Sequence, residues 1–521
     1  MKLALSSLIS EIDKYAIEVV GTPLIDLMAK SGAAVADAVR MYVKSGTGAS
    51  VVILAGKGNN GGDGYAAAVR LINEYNVKVF DVFSEGQRSE EGRYFLSRFK
   101  ELGGEVEELK LTEHQRAEIK GADCIVDAVF GTGFKGEMPD EVKALAVTVS
   151  EAVGAKKIAV DVPLGVNADD GSVDILTASM HATVELSFIK PGIVSYPARS
   201  FVGKIIYDDL GLPRDAIEEH FAFKYNLIDE DFAKKHLPTR KSNSNKGTFG
   251  KALLITGSER YRGAGRLSLE AALRGGVGLV TYLCEGVLAE EFSREFPEVI
   301  YKTVSFSDEQ ILAEACEISK AHTSTLIGSG SGNTKEIAEL AKALLASEGG
   351  ALILDADAIN ALSENECSLV LIKNAKRPVI LTPHPLEFAR ISGNDVATVQ
   401  RRRLASAIRF AAENKCILVL KGAGTIVTDG KEVYINASGS SALAKAGSGD
   451  VLAGFIASLA AMNIPPLLAA ALGVYYHGAA GDSLAEELST YGVTPSDLPR
   501  EIARMIANTE KVRKTKQTYD H

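Results

Sequence analysis

Apolar residues fall into short runs separated by longer mixed stretches. In the first two hundred residues the runs are 50–56 (SVVILAG), 77–83 (VKVFDVF), 124–131 (CIVDAVFG), 156–162 (KKIAVDV), 182–188 (ATVELSF) and 204–210 (KIIYDDL). Between the early runs, apolar positions recur at helical spacing. This alternation predicts strands of a largely parallel sheet, covered by helices on both faces. The first forty residues read as helical, with Pro23 as the break. A second series starts after about residue 240: 251–257, 279–285, 323–329, 351–357, 377–383 and 416–422. Between the two series, KKHLPTRKSNSNKGTFG (234–250) is polar and rich in Gly, Ser and Asn, which predicts a linker or surface loop. The pattern as a whole is that of two α/β domains in tandem. The run 451–476 has no charged residue and is long enough to span a bilayer. Asn463, Pro465 and Pro466 interrupt it, so two buried helices are expected there.

Length and charge narrow the functional classes. At roughly 150 residues per domain, 521 residues allow two to four domains. The net charge is −10 and no basic tract occurs, which argues against nucleic acid as a partner. Five cysteines are scattered without metal-ligand spacing, as expected for reduced thiols in the cytoplasm. The apolar start MKLALSSLIS meets Glu11 and Asp13 too early for a signal peptide, and no membrane association is expected.

The stretch GKGNNGGDG places Gly56, Gly58 and Gly61 in the G-x-G-x-x-G pattern, between a predicted strand and a predicted helix. Asp81 follows about twenty residues on, as in dinucleotide-binding folds. Asn59, Asn60 and Asp63 add more polar groups than a pyrophosphate loop requires. Two further strands end in polar residues, Asp127 in VDAVFGTGFKG and Asp161 in AVDVPLGVN. In an open parallel sheet these ends share one edge, so Asn60, Asp127 and Asp161 are expected to converge. Their hard oxygens suit potassium, magnesium or calcium. The competing reading makes the glycines simple turns and the carboxylates helix caps. No histidine except His181 stands near these strand ends to serve hydride transfer.

The second half carries AKAGSGDVLAG, with Gly447, Ser448 and Gly449 ahead of Asp450 and a helix. Small residues let backbone N–H groups approach an anion at the helix's positive end. Asp450 is then placed to accept a proton from a hydroxyl attacking phosphorus, unless it or Ser448 only caps the helix. The strand–turn–strand LKGAGTIVTD suits an adenine nucleotide, and no P-loop pattern occurs.

These motifs resemble a known pair. GKGNNGGDG, VDAVFGTGFKG and VDVPLGVN are similar to NAD(P)H-hydrate epimerase domains. GTFGKALLITGSERYRGAGRLSLEAALRGGVGLV, LDADAINAL, TPHPLEFARIS, LKGAGTIVT and AGSGDVLAG resemble ADP-dependent NAD(P)H-hydrate dehydratase domains. Their order over nearly the whole chain resembles the bifunctional nicotinamide-nucleotide hydrate repair family. The resemblance implies an N-terminal Rossmann-like three-layer α/β/α sandwich over 1–213. A linker and the start of the second domain follow at 214–250, and a C-terminal ribokinase-like α/β domain covers 229–515. The implied activity is isomerase and lyase: epimerisation of the R and S hydrates at nicotinamide C6, then dehydration of the S form to NAD(P)H, AMP and phosphate.

By the same resemblance Asp161 is the epimerase acid/base. Asn59, Asn60, Gly61, Gly62 and Asp63, with Gly131, Thr132, Gly133, Phe134, Lys135, Gly136 and Glu137, line the dinucleotide. Asn60, Asp127 and Leu164 hold potassium, Leu164 through its carbonyl. In the dehydratase, Ala264, Gly330, His384 and Asp450 contact the hydrate, with Asp450 as base. Lys421, Gly422, Ala423, Gly424 and Thr425, with Gly449, bind ADP, the phosphoryl donor. Potassium and magnesium are the implied cations. NADH-hydrate and NADPH-hydrate are the implied substrates, and the chain is expected to form a homo-oligomer. The chain departs from the family at Leu164, where Ser is usual, at Leu386 in place of Gly, and at Ser331 in place of Leu. Asp355 and Asp357 are left outside the expected site. Two other readings use the same motifs: a ribokinase-type kinase of a small alcohol fused to a dinucleotide-binding domain, or a first domain that senses dinucleotide without turnover.

Overall fold

The structure is a computed structural model that describes residues 1–44, 46, 48–83, 88–308, 310–364 and 367–519. The chain folds as two compact units, divided between Tyr225 and Asn226. Residues 214–225 thus pack with the first unit, and the polar stretch 237–245 is an exposed loop inside the second.

In the first unit a short strand β1 (Lys2–Leu3) precedes helices Ser6–Glu18 and Leu24–Tyr42, which part at Pro23 as expected. The sheet consists of β2 (Ser50–Ala55), β3 (Asn76–Asp81), β4 (Glu105–Glu108), β5 (Cys124–Ala128), β6 (Lys156–Val160), β7 (Ala182–Leu186) and β8 (Lys204–Asp208). All its pairs are parallel, in the order β4-β3-β2-β5-β6-β7-β8. Side chains alternate across each strand, so each strand feeds two cores. Val51, Ile53 and Ala55 of β2 join the core under helices Leu24–Tyr42 and Asn59–Leu71, while Val52 and Leu54 join the opposite one. The unit is therefore the expected three-layer sandwich. The chain leaves β2 for β3 on one side and later returns to β5 on the other. That reversal opens a crevice at the carboxyl ends of β2 and β5. Gly61 is required there by close approach, since a Cβ on it would lie 1.9 Å from the Gly56 carbonyl oxygen.

The second unit builds one sheet from β9 (Tyr225–Ile228), β10 (Lys251–Ile255), β11 (Leu279–Cys284), β12 (Ile300–Thr303), β13 (Ser324–Ile327), β14 (Ala351–Leu354), β15 (Val379–Leu381), β16 (Ile417–Leu420), β17 (Ile426–Thr428) and β18 (Val433–Asn436). Their order is β9-β18-β17-β16-β15-β14-β13-β10-β11-β12. Strands β10 to β16 pair in parallel, and β16-β17-β18 form an antiparallel meander. The uncharged run 451–476 forms parts of helices Ser448–Ala461 and Pro466–Gly492, both deeply packed in the core. Among the described residues, no helix is long and apolar enough to cross a membrane. Cys124, Cys284, Cys316 and Cys416 are free thiols.

Candidate active sites

In the first unit a cavity of about 640 Å³ opens at the carboxyl edge of the sheet. Its wall includes Asn59, Asn60 and Asp63 from the start of helix Asn59–Leu71, and Gly131, Thr132, Gly133, Phe134, Lys135 and Glu137 after β5. Gly61 and Gly62 stand behind that wall; a Cβ on Gly62 would press on the Met28 side chain, 2.5 Å from its Cε. Gly136 instead lines a neighbouring cavity of about 540 Å³ with Phe134 and Glu137. Asp81 is not among the lining residues and pairs with Arg88.

Asp161 follows β6 and lines the cavity with φ at +64°, a left-handed conformation that Asp tolerates better than most residues. Its carboxylate pairs with Lys190, whose ammonium also lies 3.4 Å from Glu185 and donates to the Leu186 carbonyl at 3.1 Å. Lys190 is 1% exposed and Glu185 fully buried. Burial pushes the Glu185 carboxyl up to about 8, against the pull of Lys190. Burial also tends to discharge Lys190, but Asp161 and Glu185 together hold its pKa above the ordinary lysine value. Asp63, bonded to Ser31, is driven well above the carboxylate range by burial and by the charge of Asp161.

Asp127 is 1% exposed and is not among the residues that line this cavity. One oxygen accepts the Leu164 N–H at 2.7 Å and the other the Val129 N–H at 3.3 Å. Leu164 thus presents its N–H to Asp127, and its side chain is buried in the core. Among the described residues no basic side chain pairs with Asp127, and burial raises its carboxyl to about 6. Asn60 donates its amide to the Phe130 carbonyl at 2.7 Å, leaving a buried Oδ1 without a partner. An orphaned buried amide oxygen is an acceptor that a hard cation could use.

In the second unit, Asp450 stands in the first turn of helix Ser448–Ala461. Burial raises its carboxyl to about 7, the charge of Asp355 adds to the rise, and Lys421 opposes it. Lys421, just after β16, binds Asp355 at 2.9 Å. A Cβ on Gly449 would come within 3.3 Å of the Lys421 ammonium nitrogen, so the segment around 421 and the helix start adjoin. Asp355 also accepts from Ser329 at 2.8 Å and Thr382 at 2.7 Å. It is a buried hub of the site rather than a free helix cap. Gly330 and Ala264 meet: with φ at +63°, a Cβ on Gly330 would fall 2.4 Å from that of Ala264.

His384 caps helix Pro385–Ser392, its Nδ1 accepting the Leu386 N–H at 3.2 Å and the Glu387 N–H at 3.3 Å. Its Nε2 lies 3.2 Å from Glu387. Burial and then Lys421 lower its pKa, which keeps the ring neutral. Leu386 is 45% exposed and turns outward. Thr425 closes the 421–425 turn onto the Gly422 carbonyl at 2.9 Å, and the buried Arg403 braces it through the Leu420 and Lys421 carbonyls at 3.3 and 3.2 Å. Buried His477 bonds the Ser448 carbonyl at 3.0 Å and fixes the helix start.

Comparison with known proteins separates the two sites. A YjeF-related protein N-terminus family model matches residues 24–192, and an NAD(P)H-hydrate dehydratase family model matches 252–504. A bifunctional NAD(P)H-hydrate repair enzyme of Moorella thermoacetica is 33% identical over 98% of each chain. The chain belongs to the bifunctional NAD(P)H-hydrate repair family. An Escherichia coli relative of the same description is 30% identical over 95% of this chain and 92% of its own. An ADP/ATP-dependent NAD(P)H-hydrate dehydratase of Bacillus subtilis, crystallised with ATP and magnesium, superposes with a TM-score of 0.50 at 28% identity. It covers 55% of this chain and all of its own. The enzyme is thus an isomerase and a lyase in one chain, with the fold expected from its motifs. The epimerase unit holds the cavity with Asp161, and the dehydratase unit holds Asp450. Sequence reasoning missed Lys190 and Glu185 in the first site, and Asp355, Arg403 and His477 in the second.

Proposed function

We propose that the two units act in series on NADH and NADPH hydrated at nicotinamide C6, with Asp161 handling protons in the epimerase and Asp450 in the dehydratase. The observation that carries this reading is a cavity-lining ion pair, Asp161 with Lys190, at the sheet edge of the epimerase unit. In the epimerase, the ring hydroxyl leaves with help from the N1 lone pair and water returns to the other face. Asp161 exchanges the proton, and Lys190 orients its carboxylate. Asn59 to Asp63 and Gly131 to Glu137 cradle the dinucleotide.

In the dehydratase, Asp450 takes the proton of the ring hydroxyl as that oxygen attacks the β-phosphorus of ADP, releasing AMP. Elimination of phosphate then gives NAD(P)H. Backbone N–H groups of 447–450 and the Lys421 ammonium stabilise the charge on the transferring phosphoryl group. Lys421 to Thr425 and Gly449 hold the nucleotide; Ala264, Gly330 and His384 hold the hydrate. Magnesium would enter with the nucleotide phosphates, as ATP and magnesium were crystallised together with the Bacillus subtilis relative. Potassium, at Asn60 and Asp127, would supply a fixed positive charge beneath the dinucleotide loop. Free thiols favour a cytoplasmic setting; assembly as a homo-oligomer rests on the family resemblance.

The full-length chain, given a mixture of R- and S-NADH-hydrate, should restore absorbance near 340 nm when ADP or ATP is present and not otherwise. Phosphorylation of the hydrate without recovered absorbance would favour the kinase reading and contradict this one.

A further inference from the structure

Inversion at C6 has a stereochemical requirement. The C6–O bond breaks with its electron pair and the departing oxygen takes a proton to leave as water. The N1 lone pair forms the C6=N1 iminium. Water then bonds C6 on the opposite face, the π pair returns to N1, and a base takes the surplus proton. One carboxylate fixed in one wall serves one face of the ring, so inversion calls for a second group.

Asp13 lines the same cavity as Asp63, Asp161 and Lys190. It belongs to helix Ser6–Glu18, which buries Ile9, Ile12 and Ala16 against the unit, so Asp13 comes from a different element than Asp161. Ser6 locks the start of that helix to the cavity wall. Its N–H and hydroxyl both bond Asp169 at 2.7 Å, and its hydroxyl also bonds the Thr132 carbonyl at 3.0 Å. The charged groups that act on Asp13 are Lys190, Asp161 and Asp63, and Lys57, Lys135 and Glu137 also line the cavity. With Glu185, the carboxyl groups of Asp13, Asp63 and Asp161 are grouped around the ammonium of Lys190. Burial brings the Asp13 carboxyl up to about 6, with Lys190 pulling it down and Asp161 pushing it up, so both protonation states are populated near neutral pH.

Resting on the epimerase reading, we propose that Asp13 is a second catalytic acid/base, serving the ring face opposite Asp161. In one direction Asp13 protonates the departing hydroxyl while Asp161 takes the proton of the incoming water; in the other direction they exchange roles. The proton moved between them returns through solvent before the next turnover.

The test uses the full-length chain and R-to-S interconversion of NADH-hydrate from pH 5 to 9, for wild type, Asp13→Asn and Asp13→Glu. Asp13→Asn should lose at least about 10²-fold in kcat, keep KM within about threefold, and lose one limb of the pH profile. Asp13→Glu should recover part of the rate with that limb displaced. An Asp13→Asn rate within about threefold of wild type would overturn the proposal, as would a rise in KM with kcat and pH profile unchanged. Should Asp13→Asn fail to hold the hydrate, the Asp13→Glu profile decides, and an undisplaced limb counts against Asp13. A wild-type chain that restores absorbance from S-hydrate with ADP, yet does not interconvert the epimers, would sink the epimerase reading beneath the proposal.

Discussion

Asp450→Asn is expected to lower ADP-dependent dehydration of S-NADH-hydrate by about 10²- to 10⁴-fold while leaving epimerisation at the wild-type rate. Asn keeps the size and hydrogen bonding of Asp but accepts no proton. A residue that only caps helix Ser448–Ala461 would tolerate the change, because Asn caps nearly as well as Asp. Nucleotide affinity should hold or improve, since backbone N–H groups and Lys421 carry the phosphate contact and a negative charge is removed. A pH dependence distinguishes the roles further. A base works in its ionised form, and burial raises the Asp450 carboxyl to about 7, Asp355 adding and Lys421 subtracting. Wild-type dehydration should therefore climb as pH rises through about 7, and the variant's residual rate should lack that rise. Rates measured from pH 6 to 8 at saturating ADP check both points; a variant within about tenfold of wild type removes Asp450 from the chemistry.

Asp161→Asn should cost epimerisation about 10²- to 10⁴-fold and should also destabilise the first unit, by about 3 kcal/mol for breaking a buried ion pair. Lys190 would keep only Glu185 among the carboxyl groups it now pairs with. The two effects are read by different measurements: R-to-S interconversion for the chemistry, and the denaturation midpoint of the first unit for the ion pair. Dehydration of pure S-hydrate should be unchanged, because Asp450 and its neighbours belong to the second unit. Loss of stability with epimerisation intact would make the Asp161–Lys190 pair structural.

Most buried strands were legible because their apolar runs are continuous, but the short buried strands β9 (YNLI) and β18 (VYIN) were not among the expected runs. The edge strands β4 and β12 escaped notice because EVEE and IYKT are polar, as strands covered on few sides can be. The convergence of Asn60, Asp127 and Asp161 followed from the rule that parallel strands share a carboxyl edge. What the rule left open was depth. Asn60 and Asp161 line the cavity, while Asp127 is buried outside its lining with its oxygens turned to backbone N–H groups. The turn after β6 also brings the Leu164 N–H onto Asp127, a contact the sequence did not announce. Nothing in ATVELSFIKPG marks Lys190 and Glu185 for a site, and only the packed structure makes them a buried pair. Asp355 was unreadable for a related reason. Its N-cap position before helix Ala356–Ser363 supplies a sufficient local explanation, and its real partners, Ser329, Thr382 and Lys421, come from three distant strand ends. Asp13 sits on a short amphipathic helix whose polar positions look exposed until the cavity is seen behind them.

The central claim is that one chain repairs both epimers in two separable steps. The measurement that tests it most directly is recovery of 340 nm absorbance from a mixture of R- and S-NADH-hydrate with saturating ADP and potassium, for wild type and Asp161→Asn. Wild type should carry the whole mixture to NADH. Asp161→Asn should consume the S form at the wild-type rate and then stop, apart from slow spontaneous epimerisation, at a plateau equal to the S fraction. An Asp161→Asn chain that runs past the plateau to completion as fast as wild type would contradict the account.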